Sequence, residues 1–219
     1  MAHHSKSKKR FVFNIKDAVK TNTFDIDLYT KDSCITEKTC LYISQLIDKY
    51  SIPSSSRSVK LNTDIARSMY MVCELNEARI PGYNKLVDYI SSVLSVDSRL
   101  LEPLDGIKFS RGDYHGRHVD FVEEQVASGA ASIKKYGQRM ASFIIYLNDN
   151  FKGGETCFPT IGKKIEPLTG RMVIWGNLDK NYRPNYFAMR EEAFVKTGVK
   201  YILLGHVREQ RVARSVLKH

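Results

Sequence analysis

The chain is predicted to be α+β and mainly β, a β-sandwich or jelly roll with helices packed outside one sheet. Three observations predict it. Apolar residues recur at helical spacing through roughly the first hundred positions. From Ile107 the period changes to short apolar runs divided by Gly-rich or polar punctuation. The aromatic complement, 12 Tyr, 10 Phe and 1 Trp, and the β-branched runs favour sheet over a helix bundle in the second half. Many short strands after a helical block are the pattern of helices laid on a sandwich. With 219 residues, 42% of them apolar, the chain fits one large domain with a substantial core. No linker divides it. We therefore expect a basic tail over 1–10 and one domain over 11–219, with helical support over 11–105 and a jelly-roll core over 106–208.

Taken in order, an opening strand or two precedes the first helix. Thr36 is a suitable N-cap, and Cys40, Ile43, Ile47 and Tyr50 follow at helical spacing. Ile52-Pro53-Ser54-Ser55-Ser56-Arg57-Ser58 breaks this helix and reads as a mobile loop. A second helical stretch is expected from about Thr63 to Ala78. A third follows Pro81-Gly82, with Leu86, Ile90, Val93 and Leu94 on one face. Strands are then expected at Ile107-Phe109, Met140-Leu147, Met172-Trp175 and Tyr201-Val207. Gly153-Gly154, Thr169-Gly170 and Lys196-Thr197-Gly198 supply turns between them.

Several function classes lose support at once. No window approaches the eighteen or so uninterrupted apolar residues of a membrane span. Phe11 to Asp17 is too short and too soon charged for a signal-peptide core. Cys34, Cys40, Cys73 and Cys157 have neither zinc nor disulfide spacing, so reduced cysteines in an intracellular protein, cytoplasmic or nuclear, are expected. The net charge of +10 allows an acidic partner or nucleic acid. The basic residues are scattered, however, and their local clusters at Lys6 to Arg10 and Arg208 to Lys218 read as solvated tails. His3 and His4 are assigned no chemistry.

The richest segment is Ser110 to Asp120, which ends in His118-Val119-Asp120. If it is extended, residues two apart share a face, and one imidazole converges with one carboxylate. That makes two-thirds of the facial triad that binds non-haem Fe(II) and leaves positions open for substrate and oxygen. By itself His-x-Asp occurs by chance in many chains, as a surface His with an Asp in a turn. Its neighbours add the weight: Gly112 six residues before His118, Gln138 to Asn148 with Tyr146-Leu147-Asn148, Gly153-Gly154-Glu155-Thr156-Cys157-Phe158-Pro159, and Glu166 to Trp175.

In order and spacing these segments resemble the prolyl 4-hydroxylase branch of the Fe(II)/2-oxoglutarate dioxygenases, over roughly residues 107 to 208. The resemblance implies a double-stranded β-helix, a jelly roll whose open mouth holds the metal. It implies Fe(II) and 2-oxoglutarate as cofactor and co-substrate, with ascorbate as a further small molecule. The reaction it implies is an oxidoreductase hydroxylation of a side chain in a peptide or protein, releasing succinate and CO2. His118 and Asp120 would be iron ligands. Tyr146 would hydrogen-bond the co-substrate, or else be a core tyrosine. Gly153 to Thr156 would be a structural connection, and Trp175 core. Val195-Lys196-Thr197-Gly198-Val199-Lys200 matches the family's Val-x-x-Gly-x-Lys turn, so Lys200 would bind the far carboxylate of 2-oxoglutarate, since a buried ammonium needs an anion. Relatives that modify nucleic-acid bases use Arg near there, so a Lys points to the peptide branch.

The same register places Arg190, not a histidine, ten residues before Lys200, where the distal iron ligand belongs. No His lies between His118 and His206. A guanidinium has no lone pair to give a metal; it could instead pair with Asp120. His206 is a candidate third ligand on the face of Lys200, although roughly 20 Å would separate their Cα atoms at ~3.3 Å per residue. His115 is too near His118 in sequence to aim at the same point easily, and His219 is terminal. A two-ligand site completed by water and a site with no iron also remain. The leading expectation is an oxygenase acting on peptide, with the Ile52 to Ser58 loop closing over it. The alternative is a catalytically inactive binding module, and nucleic-acid binding rests on charge alone. Oligomeric state and substrate identity are not written in the residues.

Overall fold

In the computed structural model, residues 14–21, 25–56 and 70–212 are described. Two short strands open the chain, β1 (Val19–Lys20) and β2 (Leu28–Lys31). The first helix, α1 (Glu37–Tyr50), starts where its cap residue predicts: the Thr36 hydroxyl accepts from the Thr39 amide at 3.2 Å, satisfying a donor that has no partner within the helix. Cys40, Ile43 and Ile47 form its buried stripe. Beyond it lie β3 (Ile52–Pro53), β4 (Met71–Glu74) and the helix α2 (Tyr83–Leu94), which follows Pro81-Gly82 as expected and buries Val87, Ile90 and Leu94.

Two expectations for this half are corrected. Ile52-Pro53 is an edge strand paired with Met71 and Val72, not part of a loop. Proline is tolerated there because the outer edge of a sheet requires no amide donor. Met71–Glu74, expected within a helix from Thr63 to Ala78, is also a strand, because its backbone pairs with Met71↔Lys108 through Glu74↔Asp105. Sheet pairing at long range here overrides local apolar spacing. Ser54–Ser56 form a single 3-10 turn, and residues 75–78, the end of the expected helix, are not helical; residues 57–69 lie outside the described residues.

The second half is strands, as its period predicts. They are β5 (Asp105–Phe109) and β6 (His115–His118), then, after helix α3 (Ala127–Tyr136), β7 (Arg139–Tyr146), β8 (Lys152–Gly153), β9 (Thr156–Phe158) and β10 (Lys163–Ile165). The last four are β11 (Met172–Gly176), β12 (Arg190–Glu192), β13 (Val195–Thr197) and β14 (Lys200–Arg208). One sheet has the order β1-β2-β11-β7-β14-β5-β4-β3 and a second β10-β9-β12-β6; β13 pairs with β8. All pairings are antiparallel. Gly153, Gly154, Gly170 and Gly198 all take positive φ at the expected turns.

Period-two alternation divides the core into two layers. Phe143 and Ile145 of β7 and Leu203 of β14 pack with Ile43, Ile47, Ile90 and Leu94 of the helices. Their neighbours Ile144, Tyr146, Ile202 and Leu204 face the other way and pack with Phe109, Phe158, Val173 and Trp175, inside the jelly roll. Helix α1 lies tightly on β5 because residue 106 is glycine: a Cβ there would stand 2.4 Å from Ile47 Cγ1. Cys34, Cys40, Cys73 and Cys157 are all free thiols and all buried.

Ile47 is fully buried at this contact. Ile47→Ala is expected to destabilise the fold by about 2–5 kcal/mol, the usual range for a large-to-small change in a packed core, read as a lower urea midpoint with an unchanged m-value.

Candidate active site

His118 ends β6, and Asp120 follows at its exit. Their side chains converge, with His118 Nε2 3.6 Å from Asp120 Oδ1. The other ring nitrogen, Nδ1, lies 2.7 Å from the Gly116 carbonyl. A proton on Nδ1 would serve that bond and leave Nε2 with a free lone pair. Nε2 is indeed buried with no hydrogen-bond partner. His115, expected to aim elsewhere, instead stacks on His118 with ring centroids 3.7 Å apart. The pairing opposite them is irregular: Arg190 faces His118 and Glu192 faces His115, with a register shift between. That irregularity brings two rings, three residues apart, to one side.

The Arg190↔His118 pairing puts Arg190 directly across from the imidazole. Its guanidinium turns inward. Nε donates to Asp120 Oδ2 at 2.8 Å, Nη2 to Oδ1 at 3.3 Å, and Nη1 to Glu192 Oε1 at 2.7 Å. The ring of Trp175 lies 4.9 Å beneath the guanidinium carbon, a favourable face for a cation. Arg190 is 1% exposed, and Lys200, the first residue of β14, is fully buried. Lys200 Nζ donates to the Gly154 carbonyl at 2.6 Å and to the Glu192 carboxylate, with the Phe109 and Tyr146 rings 5.2 and 5.4 Å away. Tyr146 donates its hydroxyl to Thr156 Oγ1 at 2.7 Å, and Thr156 donates to Glu192 Oε2 at 2.6 Å.

The electrostatics follow. Burial pushes the Asp120 carboxyl up, but the charge and hydrogen bonds of Arg190 override it and hold Asp120 far below the carboxylate range. Burial, reinforced by Arg190, brings His118 down to about 4, so the ring is neutral at pH 7. Burial also lowers Lys200, more than the neighbouring Glu192 raises it.

His206 does not join this group. Its Nδ1 lies 2.8 Å from Ser142 Oγ, which also accepts from Asn177 Nδ2 at 2.8 Å. The side chain that lies against Asp120, across from His118, is Arg190. Among the described residues, no cluster of three His, Cys, Asp or Glu is placed to hold a metal ion. The chemistry of the donor set gives the same answer. His118 Nε2 and the Asp120 carboxylate are suitable donors, but a guanidinium lies on both Asp120 oxygens, and the anion-binding Lys200 already holds a carboxylate. In this arrangement the residues do not fit Fe(II) with 2-oxoglutarate.

Sequence reasoning missed Glu192 and Thr156, and with them the way Lys200 is paired. A signal existed: Arg190-Glu191-Glu192 on a strand places residues 190 and 192 on one face. Glu191 turns out, to Arg117 Nε at 3.1 Å. A second buried network was also missed. Arg139 pairs with Glu102 at 2.8 and 2.7 Å and donates to the Asp120 carbonyl at 3.3 Å. Arg208 donates to the same Glu102 and to the Gly137 carbonyl. Arg208 is thus buried in β14 and not part of a solvated tail; residues 213–219 lie outside the described residues.

Two stability outcomes are expected. Asp120→Ala leaves a buried guanidinium short of one anion and should cost about 3–5 kcal/mol, the usual loss on breaking a buried pair, measured by urea unfolding. Acid should weaken the fold in two stages. His118 and His206, lowered mainly by burial to about 4 and about 3, are neutral when folded and take up protons near 6.5 when unfolded. The unfolded chain then binds more protons below about 6.5, and stability falls as pH drops through that window. Glu102, which burial raises but Arg139 brings down to about 2, contributes stability above its ordinary 4.5 that is lost as pH falls towards 2. Unfolding midpoints taken at pH 7, 5.5 and 4 are expected to decrease in that order; a flat profile would contradict the neutral imidazoles.

The family model of the 2OG-Fe(II) oxygenase superfamily matches residues 106–205. The chain is 27% identical over 128 residues to prolyl 4-hydroxylase subunit alpha-2 of Gallus gallus, a match covering 58% of this chain and 23% of that one. Among solved structures it resembles the viral collagen prolyl hydroxylase of Paramecium bursaria Chlorella virus-1, in its 2OG complex, with a TM-score of 0.63 and 20% identity over 83% of this chain and 95% of that one. A Trichoplax adhaerens prolyl hydroxylase, solved with a hypoxia inducible factor peptide fragment, resembles it with a TM-score of 0.56 and 14% identity over 83% of each chain. The chain thus spans under a quarter of the curated subunit it matches.

Proposed function

The jelly-roll half of this chain is prolyl 4-hydroxylase-like, a 2OG-Fe(II) oxygenase type, and on that premise we propose that it recognises a side chain in a peptide or protein. The observation that carries the proposal is the joint register of His118, Asp120, Tyr146 and Lys200 around one buried network of ion pairs and hydrogen bonds. Beside it opens a cleft of about 780 Å3 whose lining includes Met140, Leu178, Tyr186 and Phe187. Tyr186 packs edge-on against Phe121, the neighbour of Asp120, and both Tyr186 and Phe187 are exposed. An aromatic, half-polar cleft next to that network suits an extended peptide.

Two readings share that substrate class. In the first, supported by the relatives, the chain is a dioxygenase that hydroxylates the bound side chain. Fe(II), O2 and 2-oxoglutarate would supply the oxidising chemistry, with ascorbate as a reductant, and the protein would supply binding and a dry pocket. His118 and Asp120 would hold the metal, Tyr146 and Lys200 the co-substrate. The second reading is a binding module without turnover. The pairing of Arg190 with Asp120 favours it, since iron would have to displace a bidentate, charge-assisted contact as well as lose a ligand. Nucleic acid is the weaker partner on either reading, because it rests on net charge alone.

An anaerobic titration of the full chain with Fe(II) and 2-oxoglutarate separates the two. A weak visible charge-transfer band, with succinate formed on a proline-rich peptide in air, establishes the dioxygenase. Peptide binding with neither band nor succinate establishes the module. In both cases the peptide is expected to bind more tightly than single-stranded DNA or RNA at 0.2 M salt, where charge-driven nucleic-acid binding is much weakened. Nucleic-acid binding that persists there, with no peptide binding, overturns the proposal.

A further inference from the structure

We propose that Arg190 and Glu192 are internal substitutes, the first for the metal ion and the second for the far carboxylate of the co-substrate, and that together they keep both out of the pocket. The inference rests on the second reading above and deepens it, because it accounts for the co-substrate end of the site as well as the metal end.

The argument is one of charge and place. Asp120, Arg190, Glu192 and Lys200 form an unbroken alternation of anion and cation, each in contact with the next. The four formal charges sum to zero, and all four residues are buried. Nothing in the set calls for a further ion. Lys200 is the buried cation that a dicarboxylate would need, and its anion is already supplied from the same chain. The Glu192 oxygen that receives Lys200 also receives the Thr156 hydroxyl, which Tyr146 supports in turn. The hydroxyl expected to bind co-substrate is thus engaged in holding the substitute.

The two substitutions are coupled through one side chain. Glu192 gives Oε1 to Arg190 and Oε2 to Lys200. A dicarboxylate that displaced Glu192 from Lys200 would also take an anion from Arg190. A metal ion that displaced Arg190 from Asp120 would push a cation towards Lys200. Each ligand alone therefore meets an uncompensated buried charge.

The test uses the full chain with Mn(II), as a metal not oxidised by air, and 2-oxoglutarate. Binding is read by equilibrium dialysis and by the shift in Tm, neither of which requires activity. Wild-type protein is expected to show no saturable binding of either. Glu192→Ala, which frees Lys200, should gain 2-oxoglutarate binding without metal and show no comparable response to acetate. Arg190→His combined with Glu192→Ala should bind Mn(II) and 2-oxoglutarate each at least about tenfold more tightly than wild type. Should the alanine variants not fold, Glu192→Gln keeps the side-chain volume, removes the charge, and is expected to gain 2-oxoglutarate binding in the same assay. Wild-type binding as tight as that of the double variant overturns the inference together with the second reading. Folded Glu192 variants that gain nothing overturn the inference alone, while that reading stands on the wild-type result and on peptide binding measured separately.

Discussion

One buried carboxylate is shared by two buried cations, and the mouth of the jelly roll is organised around it. Glu192 holds Arg190 on one oxygen and Lys200 on the other. Through Arg190 it fixes Asp120, and through Thr156 it fixes the Tyr146 hydroxyl. Strands β7, β9, β12 and β14, the segment just after β6 and the Gly154 turn all send a group into this network. Buried ion pairs of this kind add little net stability over a well-packed apolar alternative, yet removing one partner is costly. The network therefore selects one arrangement of the pocket more than it stabilises the fold. Stability itself comes from the apolar layers on the two faces of the large sheet.

Those layers make the site buildable. Alternate residues of β7 and β14 face the helices and the jelly-roll interior, so both central strands are apolar almost throughout, the mark of a strand covered on both faces. A rigid, doubly covered sheet fixes the position of Lys200 at the start of β14 and of Tyr146 at the end of β7. The smaller sheet needs only four short strands to bring Arg190 across from His118. Arg139 and Glu102 then support Asp120 from behind through its carbonyl.

Much of this was legible in the residues. The Thr36 cap, the stripe Cys40-Ile43-Ile47, the helix after Pro81-Gly82 and the four long strands each follow from a local rule. So did the convergence of His118 with Asp120 and the place of Arg190 across from them, which needed only register and period; the inward turn of Arg190 was one of two outcomes that spacing left open. Met71–Glu74 was not legible, because nothing local distinguishes four half-apolar residues in a helix from four paired to β5. His115 was misjudged because a register slip cannot be read from spacing. Glu192 was overlooked for a different reason. A carboxylate looks like surface until its two cations are seen, and those come from positions 190 and 200, on different strands. His206 could not be placed from spacing either; in the fold its ring meets Ser142, directly opposite it on β7.

The pairing of Arg190 with Asp120 joins residues seventy positions apart, and that of Lys200 with Gly154 residues forty-six apart. Contacts of such long range form only after the intervening loops have closed. Neither cation can give up its water until β12 has paired with β6 and the large sheet that carries β14 lies against them. The network is therefore expected to form after the sheets that carry it. Interactions formed that late slow escape from the native state and leave the rate of reaching it nearly unchanged. The charges act as a clasp on a finished barrel: loss of one partner is expected to hasten unfolding far more than it delays folding, whereas the apolar sheet bears on both.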